Sequence, residues 1–264
     1  MDIAVTAKLV RGWVEEAGQL LRESLSNTSI VVEEKSHPSD LVTEMDRSIE
    51  AFYVEKIRKE FPTHQIIGEE GSYGEVDNMD GYVWIIDPID GTLNYVKQKR
   101  NFCSMIALYK DGVGIFSFIN DVINEDIYYA IKGKGAYCND KQLENVTTYP
   151  LGKGLVALNT KMVMLKPTLS KKIIQEALGV RLIGSAGLEM VQVITNRVSA
   201  YVTTPLNFWD VAPGIMIASE LGLKCSRTDN SPIKMLEKNP IVIANENTHQ
   251  DIINIMKKTS NIDV

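Results

Sequence analysis

The sequence predicts a mixed α/β or α+β fold, and three observations predict it. Residues 10–21 and 43–61 carry helical periodicity, residues 102–138 carry strand patterning around a hairpin signal, and beyond residue 154 short apolar strands alternate with helical stretches. Val10, Val14, Ala17 and Leu21 share one face of an N-terminal amphipathic helix. Asp40-Leu41-Val42-Thr43-Glu44-Met45-Asp46 opens a second helix, capped by Asp40 or Thr43, with Pro38 upstream. Ile49, Phe52, Tyr53, Ile57 and Phe61 mark its apolar face. Ile66-Ile67-Gly68-Glu69-Glu70 reads as a short strand ending in carboxylates. Residues 82–86 form a buried strand that stops at Asp87-Pro88, with a helix expected over 93–98. Residues 105–109 and 114–118 flank Asp111-Gly112, a hairpin signal, and 127–131 and 135–138 continue the meander.

Residues 149–154, with one proline and two glycines, suggest a boundary between a half spanning 1–150 and a half spanning 151–264. Past it come a strand at 155–158, a helix at 169–178, a strand at 181–183 and a helix at 188–195. Asp210 stands as an N-cap before the apolar run 215–221, with Pro213 in the first turn. A strand at 241–244 and a helix around 252–256 complete the chain, without internal repeats.

At 264 residues the chain can bury a large core. A net charge of −6 with no basic stretch argues against nucleic-acid binding. Met1-Asp2-Ile3-Ala4-Val5 does not read as a basic-then-apolar leader, and no apolar run approaches ~18 residues, so a cytoplasmic protein without a membrane span is expected. Cys103, Cys138 and Cys225 lack CxxC spacing and read as buried thiols of a reducing compartment. His37, His64 and His249 lack HExxH spacing and read as surface or packing residues.

The chemistry concentrates in Asp87-Pro88-Ile89-Asp90-Gly91-Thr92. Mg2+ takes oxygen ligands, and Asp87 and Asp90 on a tight turn can offer carboxylates to neighbouring ions, joined by the Ile89 carbonyl. Gly91 permits close backbone approach, and the unsatisfied N–H groups of 91–93 at a helix start can hold phosphate. Thr92 is placed to orient a water. The plainer alternative is an Asx-rich turn with Asp90 as a helix cap. Further acids at element ends (Glu69 and Glu70, Asp210, Asp40 and Asp46) favour a magnesium-dependent phosphatase acting on a small phosphorylated metabolite.

Gly68-Glu69-Glu70, Asp87-Pro88-Ile89-Asp90-Gly91-Thr92 and Trp209-Asp210-Val211-Ala212-Pro213-Gly214 stand in the order of three metal-site signatures. Asp40-Leu41-Val42-Thr43 with Asp46, preceded by Lys35, and Gly184-Ser185-Ala186 complete a pattern covering residues 35–222. The chain thus resembles the inositol monophosphatase family of lithium-sensitive, metal-dependent sugar phosphatases. The resemblance implies a five-layered α-β-α-β-α sandwich of the inositol monophosphatase/fructose-1,6-bisphosphatase type, with the metal site between its halves. It implies that Glu69, Asp87 and the Ile89 carbonyl hold one Mg2+, that Asp87, Asp90 and Asp210 hold a second, and that Glu69 shares a looser third. Catalysis would fall to Thr92, paired with Asp46, and to Glu69. Phosphate and substrate would meet Gly91, Thr92, Asp90, Ser185, Ala186 and Thr203. Lys35 and Asp40 would sit on a mobile loop, where Lys35 alone reads as a solvated lysine. A homodimer is expected.

The implied reaction is hydrolysis of inositol 1-phosphate to inositol and phosphate. Thr203 lies seven positions before Asp210, where animal members carry an acid that contacts inositol hydroxyls. A threonine cannot replace a carboxylate's paired contacts, so broadened specificity is expected, and Glu189 is the candidate substitute, against a plain capping or solvated role. The alternatives are NADP 2′-phosphatase or dual activity, fructose-1,6-bisphosphatase, 3′-phosphoadenosine phosphate phosphatase, and a regulatory binding role. A haloacid-dehalogenase-type aspartyl nucleophile fits less well, because its acids stand two residues apart and near the first strand.

Overall fold

The computed structural model describes residues 1–26, 32–34, 41–71, 73–74 and 76–259. The described elements begin with α1 (Ile3–Ser24), an antiparallel pair β1 (Val32–Glu34) and β2 (Leu41–Thr43), α2 (Glu44–Glu60), β3 (Gln65–Gly68), β4 (Tyr82–Asp90) and α3 (Thr92–Gln98). A meander follows: β5 (Cys103–Lys110), β6 (Val113–Asp121), β7 (Asp126–Ile131), β8 (Gly135–Cys138) and β9 (Lys141–Gln142). Next come β10 (Leu155–Leu158), α4 (Thr160–Leu165), α5 (Pro167–Glu176), β11 (Gly179–Arg181), α6 (Ala186–Ile194) and β12 (Ala200–Val202). The chain closes with α7 (Phe208–Glu220), β13 (Lys224–Arg227), β14 (Ile241–Ala244) and α8 (Glu246–Thr259).

Beside the β1-β2 pair, the described residues form two larger sheets, one ordered β3-β4-β5-β6-β7-β8-β9 and one ordered β11-β10-β12-β14-β13. Helices α1 and α2 cover the outer face of the larger sheet, α6 and α7 lie between the sheets, and α5 and α8 cover the smaller one. This is the five-layered arrangement that the resemblance implies. Side-chain alternation explains it. Along β4, Trp84 and Ile86 enter the core under α1 and α2, while Val83 and Ile85 enter the core shared with α6 and α7. Along β14, Val242 and Ala244 face α8, and Ile241 and Ile243 face inward. Both faces of each sheet are therefore apolar, and each large side chain buried contributes about 1.5–3 kcal/mol. Val10, Val14, Ala17 and Leu21 of α1 are all fully buried.

Several local expectations change. β4 does not stop at Asp87 but runs to Asp90, and its register against β5 shifts between these two acids. Pro88 is tolerated there because a bulge leaves its missing N–H without a ladder partner. Asp87 and Asp90 thus sit on an irregular strand end rather than on a tight turn. Leu41–Thr43 forms a strand, and α2 starts after it with Thr43 as the cap, its hydroxyl accepting the N–H groups of Met45 and Asp46. Asp40, like Lys35, His37 and Pro38, lies outside the described residues. Asn207 rather than Asp210 is the N-cap of α7, and Pro213 falls in the second turn. The strand expected at 181–183 lies at Gly179–Arg181.

Candidate active site

The C-terminal end of β4 faces the first turns of four helices. Asp46 lies in the first turn of α2, Thr92 begins α3, Ser185 caps α6 and Asp210 lies in the first turn of α7. Helix N-termini present unsatisfied N–H groups and partial positive charge, so this is a favourable place for carboxylates and for phosphate.

Thr92 and Asp46 meet. Thr92 Oγ1 lies 3.0 Å from Asp46 Oδ1 and 3.0 Å from the Ile89 carbonyl, and it can donate to either. Asp46 is fully buried, and its other oxygen accepts the N–H and the hydroxyl of Thr43 at 2.8 and 2.6 Å. Burial pushes the Asp46 carboxyl up, while the bonds from Thr43 and Thr92 pull it back.

Asp90 docks on α6. It accepts the Ser185 hydroxyl at 2.5 Å, the Ala186 N–H at 3.1 Å, the Gly187 N–H at 2.7 Å and the Cys103 thiol at 3.4 Å. Burial raises its pKa, and these donors oppose the rise. Asp90 therefore caps no part of its own segment; Gly91, at φ 90°, is the residue that starts α3. Asp210 accepts the Asn207 N–H at 2.7 Å.

Asp87 is different. It is 1% exposed, and its Oδ1 is buried without a hydrogen-bond partner. Burial pushes its carboxyl well above the usual range, and Glu69, Asp90, Asp210 and Asp46 push it further. Asp210 rises for the same reasons, first burial, then Asp90 and Glu69, with Lys238 opposing. Among the described residues, no three His, Cys, Asp or Glu side chains stand arranged to hold an ion. Asp90 instead accepts amides at the start of α6, and Asp210 accepts the N-cap amide of α7. The donor set nevertheless fits a hard cation: all-oxygen, mutually repelling, and containing one buried carboxylate oxygen that nothing satisfies.

Two expected substrate contacts are already occupied. Ser185 is 2% exposed and serves Asp90 and the Leu188 N–H. Thr203 is fully buried, with its hydroxyl accepting from Asn159 and donating to the Thr204 carbonyl at 3.1 Å. Its hydroxyl is thus engaged by the protein's own groups, whereas the expected contact would need it to face substrate. Thr203→Val should therefore leave the preference among phosphate esters unchanged and cost about 1 kcal/mol of stability, read by assay ratios and denaturant melts. Glu189 is not a solvated residue either. It is 1% exposed, and its Oε1 accepts the N–H groups of Ile183 and Gly184 at 2.5 and 3.4 Å, fixing the approach to α6.

Sequence reasoning missed Glu50, Tyr73 and Asn94, and it read Cys103 as a buried thiol without its bond to Asp90. Glu50 accepts the Glu70 N–H at 3.0 and 3.2 Å and the Tyr73 hydroxyl at 2.6 Å. Asn94 donates to the carbonyls of Asn101 and Ile183 at 2.8 and 2.9 Å, tying α3 to the segment before α6. One signal was available: Glu50 interrupts the apolar stripe Ile49, Tyr53, Ile57 of α2. A cleft of about 490 Å³ opens beside the acids, lined in part by Glu69, Glu70, Tyr73, Asn207, Trp209 and Lys238.

The model of the Inositol monophosphatase family matches residues 2–260. The chain belongs to the inositol monophosphatase family. An inositol-1-monophosphatase of Bacillus subtilis is 34% identical over 249 residues, covering 93% of this chain and 94% of its own. A solved IMPase/NADP phosphatase complexed with Mg2+ and phosphate has a TM-score of 0.89 at 27% identity, covering 97% of this chain and 96% of that one. A staphylococcal inositol monophosphatase-1, in an inhibitory complex soaked with 100 mM LiCl, reaches a TM-score of 0.91 at 28% identity, covering 97% and 95%. This member of the inositol monophosphatase family is a phosphoric monoester hydrolase, and metal dependence belongs to the family. Among the described residues, no helix is long and apolar enough to cross a membrane.

Proposed function

We propose that the protein hydrolyses inositol 1-phosphate and related small phosphate monoesters, NADP among them, with Mg2+ held by Glu69, Asp87, the Ile89 carbonyl, Asp90 and Asp210. The observation that carries this reading is the unsatisfied Asp87 oxygen among four other acids, beside the Thr92–Asp46 pair. Mg2+ bound there would acidify water and neutralise charge on phosphate oxygens. Each protein group then has its own task. Asp46, fixed by Thr43, accepts the Thr92 hydroxyl proton in a hydrogen bond. That leaves a Thr92 lone pair to accept from a water and aim the water's own lone pair at phosphorus. The amides of Gly91 and Thr92 hold phosphate oxygens, and the helix starts around β4 favour the anion. No protein nucleophile is required. In this reading residues 1–150 supply most metal ligands and residues 151–264 supply Asp210 and the α6 start.

Broad specificity is favoured by Thr203, which offers the substrate neither a carboxylate nor a free hydroxyl. Likeness to solved proteins described as IMPase/NADP phosphatases supports dual action on inositol phosphate and NADP ahead of the fructose bisphosphate and 3′-phosphoadenosine alternatives. The three unpaired cysteines fit a cytoplasmic setting, and a symmetric homodimer is the commonest homo-oligomeric assembly. The test is phosphate release from inositol 1-phosphate, NADP, fructose 1,6-bisphosphate and 3′-phosphoadenosine 5′-phosphate, with Mg2+, without it, and with added Li+. Mg2+-dependent, Li+-sensitive release from the first two is expected. Equal release without Mg2+ would refute the metal role.

A further inference from the structure

The acidic loop after β3 has an anchor that no assigned role explains. Glu50 is fully buried in α2, a carboxylate beside Ile49, Tyr53 and Ile57 on a face whose other buried acid is Asp46. A buried charge is costly unless hydrogen bonds surround it. Here they do: the Glu70 N–H lies 3.0 and 3.2 Å from the two carboxylate oxygens, and the Tyr73 hydroxyl lies 2.6 Å from Oε1. The carboxylate also stands against the backbone on the near side of the loop. A Cβ built on Gly68 would fall 2.5–2.8 Å from its atoms, so Gly68 is the residue that lets the loop close onto Glu50.

Glu69 is held between these contacts. Gly68 precedes it against Glu50, and Glu70 follows it with its N–H on Glu50. Fixing the backbone on both sides of one residue limits where that residue's side chain and carbonyl can point. Gly68 pairs with Ile86 across the β3–β4 ladder, so Glu69 follows at the level of Asp87 and its placement bears on the charge met by a cation at that point.

We propose that Glu50 is a positioning residue for Mg2+ binding, holding Glu69 toward Asp87 through the Glu70 amide, the Tyr73 hydroxyl and the close approach of Gly68. The inference rests on the metal reading given above. Glu50 itself touches neither ion nor substrate. Its loss therefore acts on affinity for the ion, and groups that orient ligands in this way are typically worth roughly 10- to 100-fold in metal affinity.

The experiment is calorimetric titration of the full chain with Mg2+ alone, beside turnover measured across Mg2+ concentrations, for wild type, Glu50→Ala, Glu50→Gln and Tyr73→Phe. Glu50→Ala is expected to weaken Mg2+ binding roughly 10- to 100-fold. Its turnover at saturating Mg2+ should stay within about threefold of wild type, because the reacting groups are untouched. Glu50→Gln, which keeps one acceptor oxygen for the Glu70 amide, should recover part of the affinity, and Tyr73→Phe should show a smaller loss. A folded Glu50→Ala with wild-type Mg2+ affinity overturns the inference, as does lost turnover with unchanged affinity. If Glu50→Ala does not fold, Tyr73→Phe decides, and unchanged Mg2+ affinity there overturns it. Absence of Mg2+ binding by wild type would overturn the metal reading itself, a result distinct from failure of the anchor.

Discussion

Asp87→Asn should lower phosphate release by roughly a thousandfold or more at every Mg2+ concentration, since losing about 4 kcal/mol of charge stabilisation costs that much rate. Asp87 is the proposed ligand common to both principal ions, and its buried Oδ1 has no protein donor. An amide of the same shape offers one neutral oxygen and carries no charge. The same substitution should stabilise the ion-free protein. Burial first, and then four other acids, raise the Asp87 carboxyl, so removing its charge relieves both desolvation and repulsion. A gain of about 1–3 kcal/mol is expected by analogy with other replaced buried charges. That corresponds to a rise of about 2–4 °C in melting temperature per kcal/mol for a chain approaching this size. Phosphate release across a Mg2+ series and melting in chelator test the two halves together. Wild-type turnover with ordinary Mg2+ dependence would remove Asp87 from the metal site. A less stable ion-free variant would show that Asp87 is held by interactions other than a missing cation.

Thr92→Ala should lower turnover by roughly 10²- to 10³-fold while leaving KM within a few-fold, because the task of Thr92 is realised in the reaction rather than in binding. The hydroxyl lies 3.0 Å from Asp46, which is in turn clamped by Thr43. Removing it leaves Asp46 buried with one fewer donor, and the water loses the acceptor that aims it. Thr92→Ser keeps the hydroxyl and should recover most of the rate. The decisive measurement is kcat and KM for alanine and serine side by side. An unchanged kcat in the alanine variant would take Thr92 out of the reaction, and an equal loss in the serine variant would assign its role to the methyl group's packing.

Much of the fold was legible because its signals are local. The stripe of α1 follows from a period of 3.6, the Asp111-Gly112 hairpin from its turn dipeptide, and β4 and β14 from short unbroken apolar runs. Both residues of that hairpin turn adopt positive φ, 51° and 75°, as the dipeptide requires. What was missed is short or irregular. β12, β13 and α4 are too brief for periodicity to register. The continuation of β4 through Pro88 contradicts the ordinary stop signal, and only pairing with β5 across a bulge permits it.

The candidate site divides along the same line. What the sequence by itself determined is that Glu69, Asp87, Asp90, Thr92 and Asp210 sit in short contiguous motifs at element ends, which makes them the candidates for the chemistry. It also determined that each such end exposes backbone groups able to meet an ion or a phosphate. Only the tertiary structure decided which of these ends face one another. The Asp46–Thr92 bond joins residues 46 apart, and the bonds from Asp90 to Ser185, Ala186 and Gly187 span 95 to 97 positions. Such contacts are fixed by how layers stack, not by local propensity. The same stacking buries Thr203, places Glu50 under the acidic loop, and leaves one oxygen of Asp87 without a partner.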